Sequence, residues 1–128
     1  METVGNEPTP SYVQAINSSK GGIVIARNVL WATSSRERRR GLLGREYLDP
    51  NDGIYIAPTE WIHTFGMRFP IDVAFLSDDG VVLAINRHLR PRRLSKLSLR
   101  AQGALELAAG RLSETGTDVG DKIEFRDV

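Results

Sequence analysis

Few side chains in this 128-residue chain are equipped for chemistry. There is no cysteine, which removes disulfides, thiolate metal sites, iron–sulfur ligation and thiol nucleophiles together. His63 and His88 are the two histidines, and with Asp72 and Glu106 they supply the candidate metal donors. Zinc in a catalytic site takes three protein ligands, and no two of these four stand at ligand spacing. The four-residue step from His63 to Met67 converges only on a helix, which Gly66 and Pro70 oppose. No metal and no cofactor is therefore expected; Met67 is expected in the core and His63 at a polar, partly exposed position.

Asp72 lies between Ile71 and Val73, and Glu106 between Leu105 and Leu107. Strand alternation can set both carboxylates on one side of adjacent strands. An arginine beside a carboxylate lowers its pKa, which suits an ion pair or a ligand anchor better than a general acid. Bracing of Arg40 by Asp72 or Glu106 is the expectation. A hydrolase using Asp72 or Glu106 is an alternative, and it requires two carboxylates held apart and tuned differently.

Arginine makes up 14 of the 17 basic residues, and its planar fork favours phosphate and carboxylate groups. Residues 36–45 carry five basic residues against Glu37, and residues 87–100 carry six with no acid. Contact with nucleic acid through these segments would use Arg36, Arg39, Arg90, Arg92, Arg93 and Lys96. Residues 87–100 interleave charge with apolar rather than aromatic side chains, so base stacking has little support and a solvated basic loop is the simpler reading. Trp61, beside His63 and Phe65, is placed to wall a pocket, although a core or rim position is the commoner fate of tryptophan.

The elements that must position these residues are mostly strands. At this length one domain is expected, burying roughly two thirds of the surface of its unfolded chain. A net charge of +1 argues against a uniformly basic nucleic-acid coat. Residues 1–10 read as a disordered tail and 11–128 as a single domain. No apolar run approaches the length of a membrane span and no leader is recognisable, so a soluble, cytoplasmic monomer without a membrane partner is expected. Ile23–Ala26, Val29–Trp31, Ile71–Leu76, Val81–Ile85, Ala104–Ala108 and Lys122–Arg126 are β-rich runs between turn signals. Asp79-Gly80 between two of them predicts a hairpin. Ser34 with Glu37 forms a capping box that predicts a short helix ending at Gly41 or Gly44, and a second helical turn is possible near Leu94–Leu99. P-loop, dinucleotide-binding and nucleophile-elbow patterns are missing.

Four stretches in order carry a family resemblance: 37–45 (ERRRGLLGR), 63–75 (HTFGMRFPIDVAF), 104–110 (ALELAAG) and 120–123 (GDKI). Together they resemble the domain of unknown function 192 family over about residues 15–125. The resemblance implies a compact, mainly β, sandwich- or barrel-like domain with one or two short helices, and it implies no activity. Relatives usually carry Arg-x-Arg-Gly-Leu-Met at the first motif, so Arg38 and Arg40 take the arginine positions and Leu43 replaces the methionine. Asp72 and Glu106 match the family pattern. The functional expectation is a small anionic or polar ligand, anchored by Arg38 and Arg40 and hydrogen-bonded by His63 and Thr64, with Asp72 and Glu106 orienting the arginines.

Overall fold

In the computed structural model, residues 11–32 and 34–128 are described, and the expected tail at 1–10 lies outside them. Seven strands form among these residues: β1 Tyr12–Asn17, β2 Ile23–Ala32, β3 Asp52–Ile56, β4 Ile71–Leu76, β5 Val82–Leu89, β6 Gly103–Ala108 and β7 Ile123–Asp127. They make one sheet in the order β5-β4-β6-β3-β2-β1-β7, curled into a half-barrel. Across the open side, a Val81–Lys122 bridge and a Val82 N–H bond to the Asp121 carbonyl join the start of β5 to the start of β7. Two short helices, α1 Ser35–Arg40 and α2 Arg111–Glu114, complete the mainly β class expected. Among the described residues, no helix is long and apolar enough to cross a membrane.

Local chemistry explains most of these elements. The two apolar runs beginning at Ile23 and Val29 fuse into the ten-residue β2, with Arg27 and Asn28 exposed midway. Asp79-Gly80 turns the β4–β5 hairpin, where Gly80 takes φ +85° and a Cβ would run into the Ile123 carbonyl oxygen. β2 and β3 pair in parallel, a connection that needs a crossover, and α1 lies within it. The turn expected near Leu94–Leu99 does not form a helix. That segment runs extended against residues 60–64, through Thr64 N–H to Arg93 O (2.9 Å), Ser95 N–H to Ile62 O (2.9 Å) and Ser98 N–H to Glu60 O (2.8 Å). Arg90, Pro91 and Arg92 precede it without a capping residue, and Pro91 disfavours helical φ and ψ at the residue before it.

β4 is buried at every position and β6 at all but its last. Apolar clusters therefore lie on both sides of the sheet, one gathering Ala74, Leu76, Leu105, Leu107 and Leu112, the other Ile54, Ile56, Val73, Phe75 and Ala104. Residues directly opposite across a ladder share a face. The β4–β6 register pairs Asp72 with Leu107 and Val73 with Glu106, which sets the two carboxylates on opposite faces rather than one.

Asp72 is 1% exposed, and its partners are backbone amides, not an arginine. Its carboxylate accepts from His88 N–H (2.9 Å), Gly110 N–H (3.1 Å) and Leu112 N–H (3.0 Å). These bonds fix the irregular end of β5, where His88 has φ +51°, and the entry to α2. An asparagine retains one acceptor oxygen and turns an NH2 group toward amide donors. Asp72→Asn should accordingly cost about 3 kcal/mol, the scale of losing charged hydrogen bonds and stranding a buried donor. Urea unfolding checks this, and an unchanged midpoint would remove the role.

Candidate functional site

One cleft of about 670 Å³ opens beside α1 on the Glu106 face of the sheet. The capping box sets its first wall: Ser34 Oγ accepts from Glu37 N–H at 3.1 Å, and the Ser34 N–H reaches Glu37 Oε1 at 3.4 Å. The helix stops at Gly41, whose positive φ suits glycine, and Leu42 anchors the exit in the core at 3% exposure. Arg38 and Arg40 thereby line the cleft, with Arg38 Nη1 donating to the Ala57 carbonyl at 3.3 Å. Arg40 is exposed.

The opposite wall is an extended segment. Trp61, His63 and Phe65 are exposed while Ile62 and Thr64 are buried, the alternation of a strand. Trp61 and His63 enter the cleft lining with Thr59 and Met67. Their rings sit 6.4 Å apart, and His63 lies 5.4 Å from Phe65. Ile62 N–H donates to Ser95 Oγ at 2.9 Å and pins this wall to the 93–98 segment.

Glu106 reaches the cleft from β6. It is 3% exposed, with Ile54 and Val73 opposite on the neighbouring strands. Among the described residues its carboxyl group has no hydrogen bond and no ion pair, and burial alone pushes its pKa up to about 8. A carboxyl group with its pKa there holds its proton at neutral pH and can donate a hydrogen bond into the cleft.

The structure thus brings Arg38, Arg40, His63 and Glu106 to one cleft and leaves Thr64 and Asp72 out of its lining. Thr64 is fully buried; its Oγ1 donates to Arg90 O at 2.5 Å and accepts from Arg93 N–H at 2.9 Å. Neither carboxylate braces an arginine: Asp72 is occupied by amides and Glu106 is not ionised. Thr59, Ile56, Ile62 and Leu42 belong to the lining and carried no chemical signal in the sequence. Trp61 gave one, through its alternation with His63. Of the nucleic-acid candidates, Arg90, Arg93 and Lys96 line a separate concavity and Arg92 lies beside it, while the side chains of Arg36 and Arg39 fall outside the description. No group of three or more His, Asp or Glu among the described residues is placed to hold a metal ion.

A family model, DUF192, described as an uncharacterized ACR, matches residues 15–125. No curated protein matches the chain. A structure from Sinorhizobium meliloti 1021, described as a candidate transcription regulator, is 24% identical with a TM-score of 0.75, over 91% of this chain and 94% of its own. A protein of unknown function from Novosphingobium aromaticivorans DSM 12444 is 22% identical with a TM-score of 0.75, over 97% and 98%. At these identities the likeness establishes the fold.

The state of Glu106 has a measurable consequence. Below pH 4.5 the group is protonated whether the chain is folded or not. Between 4.5 and about 8 only the unfolded chain releases the proton, so stability falls as pH rises, and above about 8 the penalty is constant. Glu106→Gln should remove this decline, which amounts to at most about 5 kcal/mol. Urea unfolding at several pH values would give parallel profiles for the two proteins if the assignment were wrong.

Proposed function

Because the chain belongs to DUF192, a family that brings no established activity with it, we propose its function from the cleft: binding of a small molecule with an anionic head and an apolar body. The observation that carries this is Glu106, 3% exposed and without a hydrogen bond among the described residues, facing a space lined by arginine. A ligand atom accepting from the Glu106 hydroxyl would give that group the hydrogen-bond partner it lacks among the described residues. Arg40 supplies charge for the head, with Arg38 beside it. Leu42, Ile56, Ile62 and Met67 suit the apolar body, and Trp61 and His63 close over its edge.

A neutral Glu106 matters to the sign of the site. Ionised, it would repel an anion; protonated, it leaves the Arg40 charge to the ligand. The hydrolase alternative gains a candidate general acid in Glu106. It loses Asp72, which sits on the other face, and no second carboxylate lines the cleft among the described residues. Nucleic-acid contact, which the description of the Sinorhizobium protein would favour, draws on residues 36–45 and 87–100. Exposed leucines within the second segment have no use in phosphate contact, so the cleft reading is preferred.

Benzoate and its neutral counterpart benzamide test the proposal by calorimetry. Benzoate should bind the more tightly, and Arg40→Ala should weaken it roughly tenfold or more, the worth of a charge-assisted hydrogen bond. Affinity for benzoate should fall as pH passes about 8 and Glu106 ionises, and Glu106→Gln should abolish that fall. Equal binding of both compounds, or a pH response unchanged in the Gln variant, would reject the reading.

A further inference from the structure

A second surface lies on the arm that pairs residues 60–64 with 93–98. It exposes Leu94, Leu97 and Leu99 at 60%, 60% and 71%, and Trp61 and Phe65 at 49% and 50%. These are five large apolar side chains on two hydrogen-bonded segments, joined at the His63–Leu94 bridge. Around them stand Arg90, Arg92, Arg93, Lys96 and Arg100, and Glu60 is the sole acid in either segment. The side chains of Arg90 and Lys96 make no hydrogen bond or ion pair with a described residue, and with His88 and Arg93 they line a concavity of about 470 Å³. Its wall includes Asn86, whose Nδ2 is a buried donor with no acceptor.

A merely solvated basic loop has no need of a fixed conformation. This one is held by the buried Thr64 through both Arg90 and Arg93, and by Asp72 through His88. His88 and Arg92 take left-handed φ values of +51° and +65°, a strained choice for residues other than glycine. The fold thus keeps uncompensated cations and exposed leucines together in a set arrangement.

The geometry points to a docking face for an anionic lipid surface. Leucines and an exposed tryptophan enter the headgroup and acyl boundary, where aromatic rings are favoured, while arginine and lysine meet lipid phosphates. Charge complementarity selects this occupant over a second copy of the chain, because a two-fold contact would bring the same five cations onto themselves. It also selects lipid over nucleic acid, for which three exposed leucines offer nothing. Contact of this kind is peripheral and requires no spanning segment. It stands apart from the cleft reading, since Leu94, Leu97 and Arg90 do not line the cleft, and of the five apolar side chains Trp61 alone borders both.

Flotation of the full chain with vesicles tests it. Vesicles of equal parts phosphatidylcholine and phosphatidylglycerol should bind at least tenfold more protein than vesicles of phosphatidylcholine alone. Trp61 emission should shift to the blue on binding, and each of Arg90→Ser and Lys96→Ser should reduce partitioning about fivefold. Leu94→Glu with Leu97→Glu should abolish flotation while leaving the thermal unfolding curve unchanged, since both side chains are exposed. Equal binding to the two vesicle types, or none, overturns the inference. So does a double leucine variant that still floats, self-association lost in that variant, or tight binding to duplex DNA that the leucine changes leave intact.

Discussion

Burial of two neighbouring inner strands, β4 and β6, on both faces governs the molecule. β4 and β6 have no wet side, so a polar group on either must find its partner inside the protein or go without. Each strand carries one carboxylate, and the ladder register sends them to opposite faces with opposite outcomes. Asp72 meets three amide N–H groups and becomes the point from which β5, β6 and α2 are held. Glu106 meets Ile54 and Val73 and stays protonated. Two residues alike in the sequence, each acidic and flanked by apolar neighbours, thus do unlike work.

Fixing β5 at His88 has effects beyond the sheet. The chain leaves β5 there in a defined direction, and Thr64 then takes it up through Arg90 and Arg93. The same Thr64 sits between His63 and Phe65, so its burial turns those rings outward and places His63 at the cleft. At the far end of the half-barrel, Asn17 donates to Thr117 (3.1 Å) and Asp121 (2.9 Å), and Lys20 pairs with Asp121 at 2.6 Å. This network accounts structurally for the 120–123 motif, without assigning it any chemistry. The family motifs thus divide into one that closes the sheet, and three that meet at the cleft or support it.

Where signals were local, the sequence was legible. The capping box at Ser34 and Glu37, the Asp79-Gly80 hairpin, and strands β4, β5, β6 and β7 all follow from neighbours within a few residues. What escaped was set by long-range pairing. Strand alternation cannot say whether Asp72 faces Leu107 or Glu106, because a shift of one residue exchanges the faces. Nor does Asp52–Ile56 read strongly as a strand from its own residues; it is buried because β2 and β6 flank it. Leu94–Leu99 carries leucines at spacings compatible with a helix, yet its backbone groups are taken up by residues 60–64. Of the candidate site, four of six residues share the cleft, and Thr64 and Asp72 position segments instead.

The charge of the cleft depends on the apolar character of its floor. An ionised Glu106 would add a negative charge to a cleft lined by Arg38 and Arg40. Ile54 and Val73, at 1% and 0% exposure, lie opposite Glu106 on the neighbouring strands and contribute to the burial that raises its pKa. A polar substitution at Val73, directly opposite Glu106, would weaken the desolvation that raises the Glu106 pKa. A net charge of +1 over the whole chain conceals this, because the balance that matters is struck at a single buried proton.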